Sequence, residues 1–422
     1  MIVLLLTPIV LVAVLLCRGY APGPLVRALL WRYRLVNCLF GGLIAVALAM
    51  GIAVLAQERG LREGSAQAAD GFDLVVGTPG SEMDLMLASV YLQPSRVGLL
   101  DGDRFASIAE DPRAELAAPL AFGDSHDGAP VVGTVADFVT HLARGAVQGR
   151  LFANTSEAVV GARSDLHIGD HFHPSHGHGH GADHDAHEEV EFQVVGRLPL
   201  TGTPWDQAVI VPIEAVWETH GLANGHGAEE GTRIGAPFDP ALFPGTPAVV
   251  VVPRGMGAAY GLRTTLNQAD DMMAILPGAV QAELYRLMGD ARQAVTVLTS
   301  VTQGLVVLAV LVSLMILSRL FQRQLAMLRA VGAPMRFVLS VVWGHAAVLL
   351  SIGTVLGVLL GYGAAAVLSS VLTARTGVHV PAALGVTELR LAAGFLSAAA
   401  VAALIPAWWA ARTPVAEALR RN

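Results

Sequence analysis

Lysine is absent from the 422 residues, and all 27 fixed cations are arginines. We read that as composition bias rather than function. It excludes the phosphate loop G-x-x-x-x-G-K-[ST] from this chain. Charge of either sign is scarce, at 14% where a soluble protein carries roughly 25%. The net charge of -7 gives no reason to expect nucleic acid. Only two cysteines occur, Cys17 and Cys38, both in apolar stretches. The long polar middle of the chain therefore has no disulfide, and at its length it can bury a core without one. H-E-x-x-H is missing, as are a Ser/His/Asp constellation, paired acids and a nucleophile elbow, so no enzyme is expected. No internal repeat is evident.

What the chain has instead is apolar length, 54% hydrophobic overall. Four segments approach the ~20 apolar residues of a spanning helix: Leu35 to Leu55, Ala294 to Leu317, Phe337 to Leu360 and Leu391 to Ala411. Arg27, Arg32 and Arg34 precede the first. Arg319, Arg323, Arg329 and Arg336 separate the second from the third, and Arg412, Arg420 and Arg421 follow the fourth. If the spans alternate, these clusters share one side, which the positive-inside rule makes cytoplasmic. The stretch from Gln57 to Arg292 and the loop Thr373 to Glu388 then lie outside. Segment 1–17 is short, contains Pro8 and lacks a basic n-region, which argues against a cleaved signal peptide. An extra span, an interfacial helix and a misassigned start stay open for it. The spans hold almost no ionisable group, His345 being the main exception and expected to be packed or interfacial. Gly353, Gly357 and Gly361 form a small-xxx-small ridge for close helix approach.

The outside region alternates short β-type runs with helical ones. Strands are expected at Asp73 to Gly77, Ala129 to Val135, Glu157 to Val160, Val190 to Leu198, Gln207 to Val211 and Ala248 to Val252. Helices are expected at Val135 to Val147, Ile213 to His220 and Leu262 to Ile275. The fold class is thus a membrane protein: a four-helix transmembrane core, with a further N-terminal helix open, plus a mixed α/β extracytoplasmic domain of one or two lobes. A helical pattern from Val280 to Arg292 has no strong breaker before the second span and would act as a stiff stalk or lever.

Two stretches carry a resemblance. RQLAMLRAVGAP, Arg323 to Pro334, follows the second span, and IPAWWAARTPVAEALRRN, Ile405 to Asn422, ends the chain. Both resemble the FtsX-like permease signature of the FtsX, MacB and Lol-type ABC permeases, and the layout of one span, a large outer domain and three spans is similar too. The resemblance implies domains at 1–17 (N-terminal apolar segment), 24–56 (basic segment and first span), 57–292 (MacB-like periplasmic domain) and 293–422 (FtsX-like region). It implies that residues 323–334 are a coupling helix docking on a separate cytoplasmic ATPase, with Arg323, Gln324, Leu325, Leu328, Arg329 and Gly332 as its contact residues. Leu325 and Leu328 would lie on one side, with Arg323 and Arg329 available to partner carboxylates. Gln324 stands where the family often has an acidic residue. The phosphate cradle would come from that other chain, and motion rather than a pore would be the output. The stretches Gly71 to Leu87 and Gly196 to Gly221 resemble a branch of the family linked with zinc.

Histidine is concentrated. Twelve of the fourteen lie in the outer region, eight of them between His167 and His187. His171, His173, His176, His178, His180, His184 and His187 are the candidate metal ligands, with Asp and Glu interleaved. Neutral imidazole suits Zn2+ and other transition metals, and alternating glycine lets several rings turn toward one ion. A metal-capturing loop at 167–187 and a low-complexity insertion both fit. Isolated His126, His141, His220 and His226 are expected as surface or core residues. The implied protein is a multi-pass permease of the bacterial inner membrane, embedded in lipid. It would be a homodimer or heterodimer, with an ABC ATPase and a periplasmic or lipoprotein partner. Its task would be metal-linked transport or substrate handling. The alternatives are a non-transport FtsX-like regulator and a membrane metal sensor.

Overall fold

The computed structural model describes residues 2–176, 190–227, 233–287, 289–320 and 322–412. It divides into two compact units. A sheet unit comprises Arg62–Met288 and Leu372–Val380. A helical unit comprises Met1–Leu61, Gly289–Val371 and Pro381–Asn422.

Eleven strands build one sheet in the first unit. They are β1 (Leu74–Gly77), β2 (Ala114–His126), β3 (Ala129–Thr134), β4 (Gln148–Gly149), β5 (Glu157–Val160), β6 (His171–Phe172), β7 (Ser175–His176), β8 (Phe192–Arg197), β9 (Val209–Pro212), β10 (Ala248–Pro253) and β11 (Met273–Ile275). Their order is β11-β1-β10-β2-β3-β9-β5-β8-β4, with β6 on β8 and β7 on β2. Strand β2 joins two wings. Its residues 114–120 pair with β10, and from Ala121 onward it pairs with β3. The change falls beside Gly123, whose φ of +152° few side chains tolerate. The expectation of one or two lobes thus resolves as two wings of a single sheet.

Apolar runs such as Leu74-Val75-Val76 and Val249-Val250-Val251 are buried on both faces, as expected of strands covered by helices on each side. Val75 and Val250 meet Leu85, Phe138 and Trp205 on one face. Leu74, Val76, Val249 and Val251 meet Phe105, Trp217 and Leu262 on the other. Short covering helices begin at side-chain caps. Ser81 Oγ accepts from the Asp84 N–H at 3.2 Å and Asp101 Oδ1 from the Arg104 N–H at 3.0 Å.

Two expectations for this unit are corrected. The helix foreseen over Leu262 to Ile275 stops at Leu266, and Met273–Ile275 is an edge strand beside β1. Asn267 enforces the change: its Oδ1 accepts from the Ala274 N–H at 2.6 Å, and its Nδ2 donates to the Ala274 carbonyl at 3.0 Å. Strand β2, the longest, was not foreseen at all. Its alanines and Pro119 read poorly as strand, and residues 114–120 are held by β10 alone, which tolerates a proline.

In the helical unit, three helices among the described residues are long and apolar enough to cross a membrane: Arg34–Ala69, Met335–Thr376 and Val386–Arg412. The second expected span falls within the helix Gly289–Leu320, of which Ser300–Val312 is a shorter apolar stretch. The unbroken run foreseen from Val280 to Arg292 meets Met288, outside the described residues, between helices Pro277–Leu287 and Gly289–Leu320. Segment 1–17 forms the helix Ile2–Cys17, packed along Val386–Ala402, with the Ser397 hydroxyl donating to the Leu5 carbonyl.

The glycine ridge packs within the chain. A Cβ at Gly353 would lie 2.8 Å from Ile44, at Gly357 3.0 Å from the Ala45 carbonyl, and at Gly361 2.9 Å from the Ala49 carbonyl. Small residues here let two backbones touch where lipid gives no hydrophobic drive to associate. His345 is packed, 2% exposed, with Nε2 3.2 Å from Asn37 Oδ1. Arg59 pairs with the buried Glu388 at 2.9 Å, and the Gly385 N–H donates to the same carboxylate at 3.0 Å.

Candidate functional site

The segment 322–332 is built by local rules. A helix spans Gln322–Ala330 and ends at Gly332, whose φ of +104° lets the chain reverse. The Ala333 N–H then reaches the Leu328 carbonyl and the Gly332 N–H the Arg329 carbonyl, both at 3.0 Å, closing the helix end. Leu325 is 4% exposed and Leu328 half-buried, both against the helical unit's own core. Arg329 Nη1 donates to the Ala411 carbonyl at 3.0 Å, and Gln324 Nε2 lies 3.4 Å from the Tyr33 hydroxyl. The Arg323 side chain is outside the described residues. What this segment shows to solvent is Met327, 48% exposed, and Val331, 90% exposed, one helical turn apart. The spacing of leucines in the sequence pointed to Leu325 and Leu328 instead, because it reveals a stripe but not which neighbour the stripe faces.

The histidine-rich segment is anchored on the sheet unit. His171 on β6 has Nδ1 3.4 Å from Glu191 Oε1. His173 Nδ1 donates to the Val190 carbonyl at 2.9 Å, so it ties the start of the segment to its end. His176 on β7 stands opposite Asp124 in the register. His178, His180, His184 and His187 lie outside the described residues. Among the described residues, no group of three or more His, Cys, Asp or Glu converges on a metal position.

Of the isolated histidines, His226 is buried with Nε2 3.3 Å from Glu214 Oε1, which also accepts from the Gly235 N–H at 2.5 Å. Burial holds the Glu214 carboxyl above its ordinary range. This pair fastens residues 224–239 to the helix Ile213–Thr219 and had no signal in sequence. His141 Nε2 donates to the Gly71 carbonyl at 3.2 Å. His220 lines an open cleft of about 440 Å3 with Phe122 and Trp217.

The class these features define is a membrane protein with a mixed α/β sheet unit. Residues 296–415 match the FtsX-like permease C-terminal family, so this part of the chain, with the segment 322–332 inside it, is a permease region of the FtsX/MacB type. That family is a membrane component of ABC systems, which work with a cytoplasmic ATPase. No curated protein matches the chain. Among solved structures, the periplasmic region of MacB from Actinobacillus actinomycetemcomitans is similar at 11% identity, covering 51% of this chain and 94% of that one, with a TM-score of 0.29.

Proposed function

We propose that this chain is the membrane subunit of an ABC transporter, taking ATP-driven motion from a separate cytoplasmic ATPase to the sheet unit on the outer side. The observation that carries the reading is the family match over 296–415, which brackets the helix Gln322–Ala330. The arginine clusters put that helix on the cytoplasmic side of the bacterial inner membrane. Residues 293–422 with the first helix form the four-span core, residues 57–292 the outer domain, and two such permeases, identical or not, assemble. Met327 and Val331 are the apolar contacts offered to the ATPase, with Arg323 beside them, while Leu325, Leu328 and Arg329 hold the helix on its own unit. The histidine segment supports metal-linked handling, of Zn2+ or another transition ion, on the outer side.

Copurification of the ATPase with the full chain tests the coupling. Met327→Glu together with Val331→Glu is expected to lower ATPase recovery at least tenfold while leaving the chain in the membrane. Unchanged recovery would overturn the assignment of this surface.

A further inference from the structure

Three histidines on one side of the sheet unit share an arrangement. His126 Nδ1 donates to the His173 carbonyl at 3.2 Å, His173 Nδ1 to the Val190 carbonyl at 2.9 Å and His220 Nδ1 to the Val216 carbonyl at 2.7 Å. A carbonyl only accepts, so Nδ1 carries the proton in each. When the ring is neutral, its Nε2 presents a lone pair. This is the outer contact that orients an imidazole for metal ligation.

Only one of the three has its Nε2 beside a buried carboxylate. His220 Nε2 lies 3.7 Å from Asp124 Oδ1, and the Asp124 side chain is 3% exposed. That separation is too long for a good hydrogen bond. Two donor atoms on one tetrahedral Zn2+ lie about 3.3 Å apart, given bonds of about 2.0–2.1 Å, so a small closure would seat an ion between them. Opposite Asp124 in the β2–β7 register stands His176. Residues facing each other in an antiparallel pair share a face of the sheet. The cleft lined by His220 gives an ion a way in from solvent.

We propose that Asp124 and His220, with His176 across the strand pair, form a fixed site for one divalent transition-metal ion, separate from the histidines of 178–187. The site deepens the metal-linked part of the function above and rests on it for the class of ion. Asp124 supplies the anionic oxygen and His220 a pre-oriented nitrogen on rigid elements. Water completes the coordination.

The test uses the full chain in nanodiscs, titrated with Zn2+ alone and with Co2+ alone. A variant with His178, His180, His184 and His187 all changed to Ala is expected to keep one Zn2+ site and to give the visible absorption of tetrahedral Co2+. Adding Asp124→Asn or His220→Gln is expected to weaken Zn2+ binding about tenfold or more and to abolish the Co2+ bands. His220→Gln serves where Asp124→Asn fails to fold, since the His220 side chain is 31% exposed. The site is overturned if the fourfold variant binds no Zn2+, or if a folded His220→Gln chain binds as before. Loss of this site leaves ATPase copurification intact. Failure of the coupling reading removes copurification and leaves Zn2+ binding in place.

Discussion

Leu74, Val75, Val76, Val249, Val250 and Val251 of the sheet unit are all at 0% exposure, whereas Leu35, Leu39, Met50 and Leu359 of the helical unit stand at 83, 70, 68 and 61%. The residue types are the same and the placement is opposite. In the sheet unit burial itself drives folding, at about 25 cal/mol per Å2 of apolar surface removed from water. A lipid-facing leucine gains nothing by turning inward, so the helices are held by close contact of small residues and a few polar locks. Gly353, Gly357 and Gly361 against the helix Arg34–Ala69, Trp343 donating to the Ala400 carbonyl at 2.8 Å, and the Arg59–Glu388 pair are of that kind.

The contrast can be broken at three points. The largest effect is expected from Trp205→Ala in the sheet unit, where the indole is fully buried against Phe72 and Phe138 at ring distances of 5.9 and 5.6 Å. Truncation should cost about 3–5 kcal/mol in denaturant unfolding followed by circular dichroism. A loss below about 1 kcal/mol would mean that the sheet unit does not depend on its core. Next comes Gly357→Leu, which must push apart two touching backbones and should cost about 3 kcal/mol in detergent unfolding. Gly363→Leu, whose Cβ meets nothing within 4 Å, should stay within about 0.5 kcal/mol. Equal effects at the two glycines would refute small-residue packing as the glue of the helical unit.

The smallest effect sharpens the sheet side. Glu157 accepts from Arg150, from the Ala153 N–H at 2.8 Å and from Asn154 at 3.0 Å. The Arg150 guanidinium foremost pulls its carboxyl down from 4.5 to about 2. A depressed carboxyl stabilises the fold above its unfolded value and loses that contribution as pH falls. Glu157→Gln should therefore lower stability by about 1–3 kcal/mol at neutral pH. The gap to the natural protein should narrow between pH 4.5 and about 2. A gap independent of pH would remove the ion pair as its cause.

Much of this was legible from residue order. β1, β5, β9 and β10 are short β-branched runs between turn residues, and pattern alone places them. The long apolar helices announce themselves by length. β2 did not, because alanine and proline hide a strand that only its partners specify. β11 was hidden because Asn267, not a proline or glycine, ends the preceding helix. At the candidate sites, the histidine density and the RQLAMLRAVGAP stretch were visible. The exposure of Met327 and Val331, the burial of Leu325, and the meeting of Asp124 with His220 across 96 intervening positions' worth of chain were not.

By itself the sequence determined where apolar length, arginine clusters and histidines fall along the chain. Those properties are local, set by the chemistry of neighbouring residues. Which leucines face lipid, which side of the helix Gln322–Ala330 is open, and which carboxylate meets which imidazole were decided only by the tertiary structure. Each depends on partners distant in the chain, brought together by the sheet register and the glycine-lined contact between helices.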